Sequence, residues 1–95
     1  MIKTFADKDT QRVFSRRAVR RWSVQVQQVA RRKLVQIDAS EELGDLRIPP
    51  GNRLEKLRGN RAGQYSVRVN DQWRICFRWI DGDARDVDIT DYHRG

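Results

Sequence analysis

The sequence is poor in cysteine, histidine and proline, with one, one and two of them in 95 residues. One thiol excludes an intrachain disulfide framework and a zinc site made from several cysteines, and we interpret Cys76, which has apolar and aromatic neighbours, as a strand residue. No apolar run reaches the length that crosses a bilayer, and Met1–Phe5 lacks the apolar core of a signal peptide. These absences predict a single soluble domain over residues 1–95, located in the cytoplasm.

Acidic residues are outnumbered by basic ones, 13 to 20, which gives a net charge of +7 and a pI near 10.5. Of the 20 basic residues 16 are Arg, whose guanidinium binds phosphate bidentately and stacks on bases. The excess charge predicts a polyanionic partner, with nucleic acid the leading one. The alternative is a charge that serves solubility and is balanced by acidic partners.

Two helices are predicted in the N-terminal half, after a short strand at Ile2–Phe5. Asp7–Asp9 offers caps for a first helix over Thr10–Arg21, whose two pairs of arginines we interpret as a solvated face near the helix C-terminus. Ser23 caps a second helix, whose apolar residues recur at spacings of three and four. That stripe comprises Trp22, Val26, Val29, Ala30, Lys33, Leu34 and Ile37.

The middle of the chain, Asp38–Gly63, is punctuated by glycines and by Pro49-Pro50-Gly51, and it reads as a long loop with short turns. A loop of this length in so small a domain is more often functional than idle.

The last third alternates apolar and polar residues with a period of two over three segments, beginning near Tyr65, Trp73 and Asp86. This alternation predicts an antiparallel meander with one face on the helices, and so an α+β fold. The same pattern makes the three Trp residues, at positions 22, 73 and 79, core anchors rather than platforms for bases.

The register of the last hairpin follows from which residues would face each other. A two-residue loop at Asp81-Gly82 would set Phe77 opposite Asp86, an apolar side chain against a charged one. A three-residue loop ending at Asp83 instead pairs Phe77 with Val87, Ile75 with Ile89, and Arg78 with Asp86. We therefore predict the three-residue loop, which is common in hairpins with a glycine bulge.

The same test on the preceding hairpin predicts a loop at Asn70-Asp71-Gln72, with Val67 facing Ile75 and Arg68 facing Arg74. Two arginines directly opposed across strands repel each other unless an anion lies between them, so this pair indicates a phosphate-binding site. Continuing the last strand brings Tyr92 and His93 back toward the same edge.

RNA cleavage requires the 2′-hydroxyl to lose a proton, the phosphorane to be stabilised and the 5′-oxygen to be protonated. Arginines suit the second task, and a histidine near neutral pKa suits the first or the third. Tyr92 would bind the phosphate or stack under a base, and Asp91 would orient the histidine or simply end the strand. The bland alternatives are a C-terminal His93 that is an exposed tail residue, and an Arg78 that only pairs with Asp86.

The stretch Leu54–Phe77, together with Met1–Phe5 and Asp91-Tyr92-His93, resembles the HigB toxins, also called plasmid maintenance system killer proteins. The resemblance implies a RelE-like fold, two N-terminal helices packed on a curved, mainly antiparallel sheet. It implies a type II toxin that cleaves mRNA in the A site of the 30S ribosomal subunit, without metal or other cofactor. It also implies a HigA-like helix-turn-helix antitoxin, through which alone the toxin would reach operator DNA.

The resemblance places the family's catalytic residues on Arg58, Arg74, Asp91, Tyr92 and His93, and we assign Lys56, Arg61 and Arg68 to the RNA backbone. Glu55 is a departure, because some relatives have a histidine there, and its loss would shift proton transfer to His93 or Arg58. The alternative function is a non-catalytic RNA- or DNA-binding module, or a co-repressor acting with its antitoxin. A third, an interaction protein whose charge serves only the antitoxin interface, fits the sequence less well.

Overall fold

The computed structural model describes residues 1–91, so Tyr92 and His93 lie outside the described residues. Within residues 1–91 two helices precede a four-stranded antiparallel sheet with the strand order β1-β2-β3-β4. The elements are α1 (Lys8–Phe14), α2 (Val24–Ala39), β1 (Glu55–Lys56), β2 (Tyr65–Arg68), β3 (Arg74–Ile80) and β4 (Asp83–Thr90). The core lies between the helices and one face of the sheet, which confirms the predicted α+β class.

The first helix is shorter than predicted: α1 ends at Phe14 rather than continuing to Arg21. Its cap is as expected, since Asp7 accepts a hydrogen bond from the Thr10 amide at 2.6 Å. The helix stops because Arg16 adopts a left-handed conformation, with φ of 62°. The Arg16 amide then donates to the Val13 carbonyl, and the Arg17 amide donates to the Arg12 carbonyl, which is the Schellman pattern.

The second helix begins where predicted, with the Ser23 hydroxyl accepting from the Val26 amide at 3.1 Å. Its buried stripe includes Ala30, Lys33, Leu34 and Ile37. The chain between the helices is tied to α2 by Gln27, whose side-chain amide donates to the carbonyls of Val19 and Trp22 at 2.7 Å each.

The tryptophans are core residues, as predicted. Trp22 is buried and meets the half-buried Trp73 edge-on, with ring centroids 6.0 Å apart. Trp79 is half-buried and packs edge-on against Phe77 in the same core.

The predicted strand at Ile2–Phe5 forms only two isolated parallel bridges, to Ala84 and Val87 of β4. It runs along the outer edge of that strand, held by backbone hydrogen bonds such as Lys3 N to Ala84 O at 2.8 Å. The predicted loop contains three short 3₁₀ helices and β1. The strand β1 was not predicted, because two residues are too few to show an alternating pattern. The 3₁₀ helices span Leu43–Arg47, Pro50–Asn52 and Gly59–Arg61.

The last hairpin combines the two registers that were predicted as alternatives to each other. The prediction of a three-residue loop is wrong, because Asp81 and Gly82 form a two-residue turn with both φ values positive, as type I′ turns require. Far from the turn the predicted register holds, with Ile75 opposite Ile89. A β-bulge reconciles the two, and Asp86, with φ of 53°, takes up the extra residue.

Candidate active site on the polar face of the sheet

The face of the sheet turned away from the helices carries one row of polar side chains across all four strands. Glu55 on β1 is paired with Ser66 on β2, Ser66 with Cys76 on β3, and Cys76 with Asp88 on β4. The next row places Arg68, Arg74 and Thr90 side by side. The predicted pairing of Arg68 with Arg74 is thus confirmed.

Arg74 is held in one orientation by acceptors from two elements. Its Nε donates to the Ser66 hydroxyl at 2.7 Å, and its Nη2 donates to the Arg53 carbonyl at 2.7 Å. Arg53 presents this carbonyl from a left-handed conformation, with φ of 45°, just after the 3₁₀ helix Pro50–Asn52. Both of these acceptors are neutral oxygens, so they orient the guanidinium through hydrogen bonds.

Arg68 lies opposite Arg74 and forms an ion pair with Asp71 in the loop between β2 and β3. The Asp71 carboxylate supplies a negative charge beside the Arg68 guanidinium, which offsets part of the repulsion expected between opposed arginines. Beneath this pair, Lys33 of α2 donates to the Arg68 carbonyl at 2.6 Å. Burial lowers the pKa of Lys33, and the positive charges of Arg32, Arg68 and Arg74 lower it further.

Arg61 and Asp88 join the turn after β1 to the last strand. The Arg61 guanidinium donates from both terminal nitrogens to the two carboxylate oxygens of Asp88, at 3.2 Å each, and also donates to the Gln64 side chain at 3.0 Å. Burial raises the pKa of the Asp88 carboxyl, while Arg61 opposes the rise. The Leu57 amide donates to the Gln64 carbonyl at 2.9 Å, which closes the base of the turn.

Arg58 stands at the start of this turn, where its side chain is exposed, as is that of Lys56 on β1. Both are therefore accessible to a ligand. Asp91 follows the end of β4 and accepts a hydrogen bond from the Gln72 side chain at 3.2 Å, so the end of the last strand is tied to the loop that carries Asp71. Tyr92 and His93, two of the predicted catalytic residues, lie outside the described residues.

Cys76 is buried in β3, and burial raises the pKa of its thiol to about 11. The thiol is protonated at neutral pH, which suits a strand residue and not a nucleophile. Residues 1–91 contain no group of three or more His, Cys, Asp or Glu side chains that could hold a metal ion. No helix in this part of the chain is long and apolar enough to cross a membrane.

Four residues of this site were not predicted from the sequence: Ser66, Arg53, Lys33 and Asp88. Ser66 and Asp88 could have been found, because their parity places them on the polar face with Arg74. A lysine within the apolar stripe of α2 was a signal for Lys33. Nothing in the sequence indicated the role of the Arg53 carbonyl, because its position depends on the left-handed conformation of Arg53 in an irregular loop.

Solved structures have this fold. The chain matches a chain of the YoeB-YefM complex from Staphylococcus aureus with a TM-score of 0.62, at 17% identity and with 99% of both chains covered. A heterotetrameric YoeB-YefM toxin-antitoxin complex from the same organism matches with a TM-score of 0.61, also at 17% identity and with 99% of both chains covered. At this identity the likeness establishes the fold alone.

The sequence itself establishes the family. Residues 3–93 match the model of the RelE-like toxin HigB of type II toxin-antitoxin systems. The chain is 57% identical over 53 residues to Toxin HigB-1 of Vibrio cholerae, a match that covers 56% of each chain. It is 36% identical over 95 residues to Endoribonuclease HigB of Proteus vulgaris, covering 98% of this chain and all of that one. The chain therefore belongs to the HigB family of RelE-like toxins, which confirms the resemblance.

Proposed function

We propose that this chain is an endoribonuclease that cleaves mRNA in the A site of the 30S ribosomal subunit in the cytoplasm. The observation that carries the proposal is the Arg68–Arg74 pair on the polar face, where Arg74 is pre-oriented by neutral acceptors. A guanidinium fixed before substrate arrives stabilises charge that develops in the transition state without reorganising. The name of the Proteus vulgaris relative, an endoribonuclease aligned over its whole length, supports the same activity.

The reaction we propose is a metal-independent transesterification. The 2′-oxygen loses its proton and attacks phosphorus, the bond from phosphorus to the 5′-oxygen breaks, and the products are a 2′,3′-cyclic phosphate and a 5′-hydroxyl. Arg74 and Arg58 stabilise the phosphorane, and His93 acts as the acid or the base. Tyr92 positions the nucleotide, and Asp91 orients His93.

Lys56, Arg61 and Arg68 are proposed to hold the RNA backbone, although their surroundings differ. Lys56 is exposed, whereas Arg68 and Arg61 are engaged by Asp71 and Asp88. We infer that Arg61 acts chiefly by fixing the turn that carries Arg58. Glu55, in place of a histidine, lies in the polar row beside Ser66 and leaves proton transfer to His93 or Arg58.

The partner that keeps such a toxin inactive is proposed to be a HigA-like helix-turn-helix antitoxin, which alone would carry the complex to operator DNA. The two similar structures are toxin-antitoxin complexes, which supports an antitoxin partner in general.

The test is cleavage of mRNA on programmed ribosomes by the wild-type chain and by the Arg74→Ala and His93→Ala variants, with the product ends analysed. We expect a cyclic phosphate at the new 3′ end, and loss of cleavage in both variants with ribosome binding retained. Persisting cleavage by His93→Ala would remove the role of that residue. Binding without cleavage by the wild-type chain would favour a non-catalytic module or co-repressor.

A further inference from the structure

A groove of about 720 Å³ lies at the edge of the sheet that β1 forms, between this edge and the first two 3₁₀ helices. Its volume falls within the range of about 300–1,000 Å³ that is usual for ligand-binding clefts. We call it the β1-edge groove, and the side chains that define it are Leu43, Arg47, Arg53, Leu54, Lys56 and Tyr65.

The floor of the β1-edge groove is apolar and aromatic. Leu43, Leu54 and Tyr65 are half-buried and pack against the hydrophobic core, so the fold fixes their positions. The Tyr65 ring is held from the core side by Phe77, with ring centroids 6.3 Å apart. A tyrosine ring that is held in this way and also lines a groove offers a surface on which an unpaired base can stack.

The rim of the β1-edge groove is basic. Arg47, Arg53 and Lys56 are all exposed, and none of the ion pairs within residues 1–91 includes any of the three. The carboxylate closest to Arg47 in the sequence, that of Asp45, instead accepts hydrogen bonds from two backbone amides, at 3.0 and 3.1 Å. Three cations around an aromatic floor are complementary to a nucleotide, which joins a phosphate to a flat base.

Arg53 connects the β1-edge groove with the candidate active site. Its carbonyl accepts the hydrogen bond from Arg74 Nη2 at 2.7 Å, and its side chain lines the groove. Between the two sites lies only the short strand β1, where Glu55 belongs to the polar row and Lys56 is paired with Tyr65 on the other face. An RNA strand whose scissile phosphate lies at Arg74 can therefore cross this edge and place a neighbouring nucleotide in the groove.

We propose that the β1-edge groove binds one nucleotide of the mRNA next to the scissile phosphate, with its base against Tyr65 and its phosphate among the three rim cations. The proposal rests on the proposed function for the identity of the substrate and adds a subsite to it. An acidic protein segment would match the same cations, but the continuity with Arg74 through Arg53 favours the RNA strand. A nucleotide held here anchors the strand across the polar face, so the groove contributes to substrate binding rather than to bond breaking.

The first experiment locates the nucleotide by photo-cross-linking on programmed ribosomes. The mRNA carries 2′-deoxy nucleotides throughout the A-site codon, which removes the attacking oxygen, and 5-iodouridine at one position at a time in and beside that codon. We expect the wild-type chain to cross-link from one position, with the modified peptide containing Tyr65. Cross-links that fall only outside the groove, or none at any position, would overturn the proposal. A wild-type chain that cross-links through Tyr65 but does not cleave the all-ribose mRNA would refute the proposed activity alone.

The second experiment tests the stacking contact with two all-ribose mRNAs, one intact and one lacking the base at the cross-linked position. On the intact mRNA, Tyr65→Leu should raise KM by about tenfold, because it removes the ring under the base. On the abasic mRNA the same variant should have little effect, and Tyr65→Phe, which keeps the ring, should still distinguish the two mRNAs. Equal losses on both mRNAs would contradict the proposal, since Tyr65 would then act through the fold or through ribosomal RNA.

The third experiment tests the rim cations by charge reversal. Arg47→Glu with Lys56→Glu is compared with Lys3→Glu with Lys8→Glu, which changes the net charge equally on another part of the surface. All four side chains are exposed, and circular dichroism checks that each variant is folded. The groove reversal should raise KM by about tenfold or more and reduce its salt dependence, beyond any effect of the control. A groove reversal that matches the control would overturn the proposal.

Discussion

Arg61 and Asp88 are 27 residues apart in the chain and meet in a two-point ion pair, 3.2 Å at each contact. The pair is largely withdrawn from water, with the Arg61 side chain 27% exposed and that of Asp88 15% exposed. It fixes the turn of residues 57–64 to β4, and that turn carries Arg58.

Removing one member of this pair is expected to be costly. Asp88→Ala leaves a largely buried guanidinium without its carboxylate and should lower the free energy of unfolding by about 2–3 kcal/mol. Replacing both, as Arg61→Met with Asp88→Leu, should restore much of that loss, because burial already disfavours the Asp88 carboxylate. Urea denaturation of Arg61→Met, of Asp88→Leu and of the double variant measures the coupling. Arg12 and Asp9, an exposed pair on α1, provide the control, with a coupling below about 0.5 kcal/mol.

Ser66 is expected to contribute to cleavage by positioning Arg74. Ser66→Ala removes the acceptor of Nε but keeps the Arg53 carbonyl as the acceptor of Nη2, so we predict a loss of about tenfold in kcat with little change in KM. Arg74→Lys keeps the charge but not the two-point geometry and should lose about 100-fold or more. Single-turnover cleavage on ribosomes measures both. Thr90→Val is the control, because Thr90 lies beside Arg74 on β4 but no described hydrogen bond joins the two side chains. Equal losses in kcat for Ser66→Ala and Thr90→Val would argue against the positioning role of Ser66.

The end of α1 predicts a stabilising substitution. Arg16 has φ of 62° at a position where helices usually place glycine, and a side chain in this conformation is strained. Arg16→Gly should raise the free energy of unfolding by about 0.5–1 kcal/mol. Arg17→Gly, one residue on and without a positive φ, should lower it. Thermal and urea denaturation distinguish the two, and a loss of stability in Arg16→Gly would mean that its guanidinium makes a stabilising contribution larger than the strain.

Cys76 predicts how stability depends on pH. Its pKa in the folded chain is about 11, above the ordinary value of 9.0, so the folded state retains a proton that the unfolded thiol gives up. The stabilisation is fully present below pH 9 and is lost as the pH rises toward 11, a change of about 2–3 kcal/mol. Lys33 acts in the opposite direction over the alkaline range, because its lowered pKa means that the unfolded state binds more protons.

The measurement compares the wild-type chain with Cys76→Ala in urea from pH 8 to pH 11. Cys76→Ala is less stable at pH 8 because it leaves a cavity, but it lacks the thiol, so the difference between the two proteins should shrink as the pH rises. A difference that stays constant would contradict the raised pKa.

The sequence predicted well those elements in which side chains point to the same side at a short, regular spacing, which is two residues in a strand and three or four in a helix. Side chains alternate along strands, so parity alone set Arg68 opposite Arg74 and placed the apolar residues of β3 on the core. The apolar stripe of α2 was predicted equally well, because its residues recur at spacings of three and four. For the same reason Asp88 could have been placed beside Cys76, had the polar face been followed through every strand.

The parts that were not predicted depend on single residues in unusual conformations or on contacts between distant segments. Arg16 ends α1 and Asp86 forms the bulge of the last hairpin, although neither is a glycine. The last hairpin has a two-residue turn, and the bulge shifts the pairing by one residue between the turn and Ile75. The prediction assumed one register along the whole hairpin, so it could not include both features. The pairing of Arg61 with Asp88 has no periodic signal at all.

The segment that runs along β4 has a consequence for the free protein. Residues 2–5 cover the outer edge of that strand, and Thr10 accepts a hydrogen bond from the Ile89 amide at 2.9 Å, so peptide groups that would otherwise face water are already bonded. At the opposite edge β1 is only two residues long and is followed by the turn that Arg61 fixes. Within residues 1–91 one outer edge of the sheet is thus partly covered and the other is short, two features that disfavour edge-to-edge pairing. We therefore expect the sheet edges of this chain to resist pairing with a second copy.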